Sequence, residues 1–294
     1  MHPPSTNSMS ESQIYNEPAK SMSVREYEQL SEFIKDRCGI KIPPAKKTML
    51  ESRLQKRLRA LKISSFLEYC DILFHSPGGA GEIIHMIDAV TTNKTDFFRE
   101  PVHFSFLTDT VLPAFLGDQC PEKTFAVWSA GCSTGEEPYT LAIVLSEFAA
   151  RSPGFRFAVT ATDISTKVLD KALLGIYDRN QAAMIHPSLM QKYFMRSRDR
   201  DKGLVRVAPE VRSLVRFQRL NLMDENVMPP ETMDAIFCRN VLIYFDRETQ
   251  RRILSRLCRT LKAGCYLFLG HSETVHGFEL PLVRIASTIY RKAA

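Results

Sequence analysis

The spacing of apolar residues along the chain changes character once, near residue 90. From Ser23 to about Ala89 it is helical throughout. "VREYEQLSEFIKDRCGI" repeats apolar positions every three to four residues and stops near Gly39, a residue suited to a helix C-terminus. "KKTMLESRLQKRLRALK" puts Leu50, Leu54, Leu58 and Leu61 on one face. "SFLEYCDILFH" and "GEIIHMIDAVTT" follow, divided by the breaker "SPGG" at 76–79. The pattern predicts a small helical domain over residues 23–90. Residues 1–22 are polar and proline-dotted, and are expected to form a disordered lead-in.

After "NKTDFFREP" the rhythm shortens. "FAVWSA" (125–130), "FRFAVTATD" (155–163), "MDAIFC" (233–238) and "GCYLFLG" (264–270) are strand-like runs. Helical segments "EEPYTLAIVLSEFAA", "STKVLDKALLG" and "RETQRRILSRLCRTLK" lie between them. Such alternation predicts an α/β domain over 101–294, with a mostly parallel sheet covered on both faces. "FELPLVRIASTIYRK" has two extended runs with no helix between them, which predicts an antiparallel edge. Residues 191–220 alternate and turn at Asp201–Gly203, which suits an inserted β-subdomain of about that extent. Residues 91–100 are left as a connector.

Composition narrows the class. At 44% hydrophobic and 24% charged the chain is ordinary globular material, and a formal charge of +6 says little until its location is known. Seven cysteines form no CxxC pair, and several lie in apolar runs, as free thiols of a reducing compartment do. No run of ~18 apolar residues is present, and the first 20 residues lack an apolar signal core. The expectation is a cytoplasmic protein with no direct membrane insertion.

The candidate chemistry centres on "GCSTGEEPYT" (131–140), which follows the first strand. Ligands of open parallel sheets bind beyond the carboxyl ends of the strands, so this turn is in the right place. It is not the dinucleotide fingerprint G-x-G-x-x-G. A helix N-terminus carries about +0.5 charge and welcomes a phosphate when nothing else neutralises it. Glu136 and Glu137 fill that role and would repel a pyrophosphate, while tolerating a cationic nucleoside. Asp163 ends the second strand, where a carboxylate can bind ribose hydroxyls. Together these features fit S-adenosylmethionine better than a nicotinamide dinucleotide. The alternative reading, in which both glutamates only cap the helix, stands beside it. The spacing of His271, Glu273 and His276 is not the helical H-E-x-x-H pattern, and a loop-end structural role is expected there, with no metal.

"TTNKTDFFRE" (91–100), "WSAGCSTGEEPYT", "ATDIS", "YFMR…GLVRV", "RLNLMD" (219–224), "CRNVLIYFD" (238–246) and "GHSE" (270–273) occur in this order. With them the chain resembles the chemotaxis receptor glutamate methyltransferases, the CheR family, over roughly residues 23–292. The resemblance implies an S-adenosylmethionine-dependent methyltransferase sheet with an N-terminal helical domain and a β-subdomain. It implies methyl transfer to the γ-carboxylate of receptor glutamates, with S-adenosylhomocysteine as by-product. Cofactor contacts are implied for Asn93, Thr95, Arg99, Glu137, Asp163, Asn221, Leu222, Arg239 and Asn240. Arg99 and Tyr244 are the candidates for holding the substrate carboxylate on course.

The implied partner is the cytoplasmic methylation region of a chemoreceptor, which carries clustered glutamates. Residues 46–62 hold seven Lys/Arg and one Glu, and at 100° per residue Lys46, Arg53, Lys56 and Arg57 fall beside the leucine stripe. That strip is expected to steer an acidic coiled coil. No aromatic stacking motif accompanies it, so no nucleic acid is expected. In some relatives the β-subdomain takes up a receptor's C-terminal tail peptide by strand addition, and "GLVRV" is the segment expected to offer the edge. A monomer is expected. Two rival readings are a methyltransferase acting on RNA or a small molecule, and a non-catalytic sensor that binds the cofactor or a receptor without turnover.

Overall fold

The computed structural model describes residues 21–117, 123–199, 203–224, 229 and 232–294. The proposed lead-in up to residue 20, Cys120 and the turn residue Asp201 lie outside them. The described chain divides into two compact units, one ending at Thr91 and one running from Thr92 to Ala294.

The first unit is helical. α1 (Val24–Cys38) opens on a capping box, with the Ser23 hydroxyl accepting from Glu26 N and the Glu26 carboxylate from Ser23 N. It closes on Gly39 at φ +73, as its glycine predicts. α2 (Lys47–Leu61) buries Leu50, Leu54 and Leu58 and leaves Leu61 half-buried at its end. α3 (Phe66–His75) and α4 (Gly79–Val90) complete the bundle, and the tight turn between them leaves no room for a Cβ at Gly79.

In the second unit, α5 (Val102–Phe106), a π-helical turn and α6 (Leu112–Gly117) precede the sheet. β1 (Thr124–Ala130), α7 (Glu136–Ala149), β2 (Arg156–Asp163) and α8 (Thr166–Leu174) follow in regular alternation. The chain then leaves the main sheet through β3 (Ile176–Asp178), α9 (Pro187–Tyr193), β4 (Phe194–Arg196) and β5 (Leu204–Val207). It returns by α10 (Pro209–Arg212) to β6 (Val215–Arg219), and β7 (Met233–Cys238), α11 (Arg247–Thr260), β8 (Leu261–Leu269), β9 (Leu282–Ala286) and β10 (Ile289–Lys292) finish it. The sheet order is β6-β2-β1-β7-β8-β10-β9, parallel from β6 to β8, with the antiparallel edge the sequence predicts. β7 is buried at every position, as a strand covered on both faces must be. Strand order reverses between β1 and β7, so the crevice beyond their carboxyl ends is the place where this architecture takes its ligand.

The subdomain departs from the sequence reading in two ways. Its sheet, ordered β3-β5-β4, begins at Ile176, before residue 191, while Val215–Arg219 pairs with β2 in the main sheet. A three-residue strand directly after the Gly175 helix cap carries no periodicity, so "IYD" is silent in sequence. Second, "GLVRV" is not an edge. β5 is the central strand, paired antiparallel on both sides, and the edges belong to β3 and β4.

Candidate functional site

Gly131 and Gly135 bracket the turn after β1 at φ +83 and +98, where a side chain is strained. Space forbids one as well. A Cβ on Gly131 would strike Val241 Cγ2, and one on Gly135 would stand 2.9 Å from Ala172 Cβ and the Tyr177 hydroxyl. The turn is tied to β2 by Gly131 N and Cys132 N, which both donate to Thr162 O at 2.8 and 2.9 Å. From the first strand of the subdomain, Tyr177 donates its hydroxyl to Thr134 O at 2.7 Å. Burial pushes the Cys132 thiol well above its ordinary pKa, with Asp163 and Glu137 adding to it, so it stays protonated and inert.

Three carboxylates meet here. Asp163 accepts from Ser133 N at 2.8 Å and from Ser165 N at 3.0 Å, which fixes its position at the tip of β2. Glu137 accepts the Ser129 hydroxyl at 2.7 Å, and its other oxygen lies 2.8 Å from Arg239 Nε. Glu136 accepts the Thr134 hydroxyl at 2.7 Å, while its Oε1 is buried with no hydrogen-bond partner. Burial raises the Glu136 pKa, against the pull of Thr134 and its own backbone N–H. A pyrophosphate would be repelled by these carboxylates, and a cation would not.

The opposite wall leaves β7. The Arg239 guanidinium is buried: it donates to His103 Nδ1 at 3.0 Å and to Arg99 O, and lies over the Phe104 ring at 5.4 Å. His103 Nε2 is 3.0 Å from Thr288 Oγ1, whose hydroxyl donates onward to Ser287 O. Nδ1 must therefore be the acceptor and Nε2 the donor of a neutral imidazole. Burial first, then Arg239 and His271, holds its pKa down to about 3, so its 3.5 Å approach to Glu100 is no ion pair.

Asn240 follows in the left-handed region at φ +59, and a short 3-10 helix, Leu242–Tyr244, comes next. The Tyr244 hydroxyl donates to Thr92 O at 3.5 Å. The connector reaches the same edge: Asn93 O accepts from the Ser133 hydroxyl at 3.1 Å, and Phe98 N donates to Thr140 Oγ1 at 3.2 Å. Phe98 and Glu100 have φ of +54 and +56, so Arg99 is held between two strained residues. Its Nη1 donates to Lys94 O at 3.3 Å. Asn221 and Leu222 follow β6 in a turn closed by Asn221 Oδ1, which accepts from Met223 N at 3.0 Å, and Leu222 is buried.

The structure thus gathers Asn93, Arg99, Glu137, Asp163, Arg239, Asn240 and Tyr244 around the carboxyl ends of β1, β2 and β7, with Asn221 and Leu222 beyond β2's neighbour β6. Thr95 lies on the same connector, half-buried. The basic strip is placed differently from its sequence reading. Arg57 forms a two-pronged pair with Glu82 of α4 at 2.9 and 2.7 Å, and Arg53 donates to Val90 O, whereas Lys46 and Lys56 are exposed. Periodicity shows the leucine face of α2 but not which charge of α4 lies opposite. His103 and Tyr177 escape the sequence reading, since their partners are remote in the chain, while Glu273 takes the loop-end structural role expected of it by accepting backbone N–H groups. The signal available was a charged or polar residue inside an apolar stretch.

Residues 93–290 match the family model described as the CheR methyltransferase SAM binding domain, and residues 25–91 match the CheR methyltransferase all-alpha domain. The chain belongs to the CheR methyltransferase family. It is 40% identical over 270 residues to the chemotaxis protein methyltransferase of Escherichia coli (strain K12), covering 92% of this chain and 91% of that one. It is 39% identical, with the same coverage, to its counterpart in Salmonella typhimurium. Against chemotaxis protein methyltransferase 2 of Pseudomonas aeruginosa the identity is 38%, over 91% and 93%. The cofactor of this CheR chain is S-adenosylmethionine, and its activity is methyl transfer in chemotaxis. Among the described residues no group of three or more His, Cys, Asp or Glu is arranged to hold a metal ion, and no helix is long and apolar enough to cross a membrane.

Proposed function

We propose that this CheR methyltransferase works in the cytoplasm and esterifies the γ-carboxylates of glutamates in the methylation region of chemoreceptors, releasing S-adenosylhomocysteine. The observation that carries this reading is the acidic turn beside a connector that presents Arg99. Glu136, Glu137 and Asp163 surround the N-terminus of α7, and one buried guanidinium, that of Arg239, opposes them. That acidic set suits a sulfonium, with Glu136 Oε1 buried behind it and without a hydrogen-bond partner.

When bound, the cofactor supplies a methyl group on positively charged sulfur. Asp163 and Glu137 would hold the ribose hydroxyls, Asn221 and Leu222 would frame the adenine, and Asn93, Thr95, Arg99 and Asn240 would take the amino-acid end. Arg239 acts from behind, holding Glu137 and the carbonyl of Arg99. The substrate carboxylate is ionised at pH 7, so no residue has to remove a proton. Orientation is what remains to be supplied, and it can be worth ~7–11 kcal/mol in well-aligned systems. Arg99 fixes the plane of the incoming carboxylate, and the Tyr244 hydroxyl hydrogen-bonds the same group. A drier site would raise the reactivity of the anion and its cationic partner.

Lys46 and Lys56, with Arg53 and Arg57 behind them, meet the acidic receptor surface. Exposed pairs are worth only ~0.2–1 kcal/mol each, so they set encounter and register. A receptor tail peptide, where present, adds to an edge of the subdomain sheet at β3 or β4. The enzyme acts as a monomer. The test is incubation of the full chain with methyl-labelled cofactor and a receptor cytoplasmic fragment. Base-labile label on glutamate is the expected result. Label on RNA or a small molecule instead, or cofactor binding without transfer, would replace this reading by one of its rivals.

A further inference from the structure

Glu273, the acid of "GHSE", is buried beyond the end of β8. Its carboxylate instead accepts four backbone N–H groups. Oε2 takes those of Asn240 and Gly270 at 2.8 and 2.6 Å, and Oε1 takes those of Val241 and Leu242 at 2.8 and 2.7 Å. Three of these donors open the short helix that carries Tyr244, a helix with no side-chain cap of its own. Burial raises the pKa of this carboxyl while the four N–H groups pull it down, and the ionised form offers an acceptor lone pair to every one of the four.

We infer that Glu273 is the positioning residue of this methyltransferase, holding the Asn240–Tyr244 segment in the one conformation that presents Asn240 and Tyr244 at the site. The inference rests on the function proposed above. Three features of the segment support it. Gly270 packs so closely on Asn240 that a Cβ there would stand 2.8 Å from both Asn240 Cγ and Asn240 N, so the two loops meet face to face through the carboxylate. On the other side Val241 fills the space beside Gly131, wedging the same segment against the cofactor turn. Gln250 of α11 adds bonds to Leu242 O and Phe245 O at 2.9 and 3.1 Å, which pin the segment's far end. Glu273 therefore sets where Asn240 and Tyr244 stand without itself reaching the ligand.

The variants Glu273→Gln and Glu273→Asp, with exposed Glu279→Gln as control, test this in the full-length protein. Two readouts are needed: kcat and KM for ester formation on a receptor fragment, well below the melting temperature, and the amide proton shifts of Asn240, Val241, Leu242 and Gly270. Glu273→Gln is expected to lower kcat at least tenfold with receptor KM within twofold, and to move those four amide protons upfield together. Glu273→Asp, which keeps the charge, should fall between it and the wild type, and it carries the test if the amide variant does not fold. Wild-type turnover by a folded Glu273→Gln, or a loss that only tracks the folded fraction with the four amides unmoved, would overturn the inference. If the wild type itself makes no ester, the proposed function fails, and the amide shifts alone then decide whether Glu273 holds the segment.

Discussion

Arg99 stands between Phe98 and Glu100, both in a backbone region that side chains avoid, and its carbonyl is gripped by Arg239. A chain accepts such strain where the aim of one side chain matters. Arg99→Ala should therefore cost at least ~10²-fold in turnover, the scale of a misplaced reactant, while leaving the melting temperature near native. Ester formation and thermal melting measured on one preparation check it, and near-native turnover would remove Arg99 from the site. His103 gives a pH signature. Its folded pKa, held to about 3, lies below the ordinary unfolded value near ~6.5, so below that pH the unfolded chain takes up a proton that the native one refuses. The stability conferred by the neutral ring is complete above pH ~6.5 and erodes by up to ~1.4 kcal/mol per pH unit as pH falls toward the folded value. His103→Gln can accept from Arg239 and donate to Thr288 but has no proton to gain. Its melting temperature should fall less steeply than the wild type's between about pH 6.5 and about pH 4, with Arg239, Glu100 and His271, the charged and titratable neighbours, unchanged. Parallel curves would contradict the assignment.

Among elements, the turn after β1 is where backbone and space agree most narrowly. Gly131→Ala puts a methyl into Val241 at positive φ, and is expected to destabilise by ~2–4 kcal/mol and to weaken cofactor binding, as denaturant melts and titration would show. This turn was legible in the sequence because glycines, acids and an apolar strand are adjacent there. The buried strands were legible for a related reason: β7 and the carboxyl-terminal parts of β1 and β2 are buried on both faces, so they read as short, largely apolar runs. β3 and β6 were not, being short or half-exposed at a sheet edge. The contacts of Arg239 could not be read at all, since residues 99, 103, 137 and 239 meet only through the crossing of α5, α7 and β7. The same limit applied to α2, whose Arg53 and Arg57 turn to partners on α4 and at its end.

For the whole molecule, the charge that matters is the exposed part. Lys46→Glu with Lys56→Glu should slow methylation of a receptor fragment several-fold at low salt and much less at high salt, since a Debye length of ~10 Å at 0.1 M screens such pairs. Equal rates at both ionic strengths would take the strip out of receptor docking. The claim on which all of this depends is that the acidic corner formed by Glu136, Glu137 and Asp163 receives a cationic methyl donor. Calorimetric titration of the purified chain tests it most directly. One S-adenosylmethionine, or one S-adenosylhomocysteine, should bind per chain, Asp163→Asn should weaken both, and a nicotinamide dinucleotide should give no heat. Binding of the dinucleotide with indifference to the methyl donor would contradict the account.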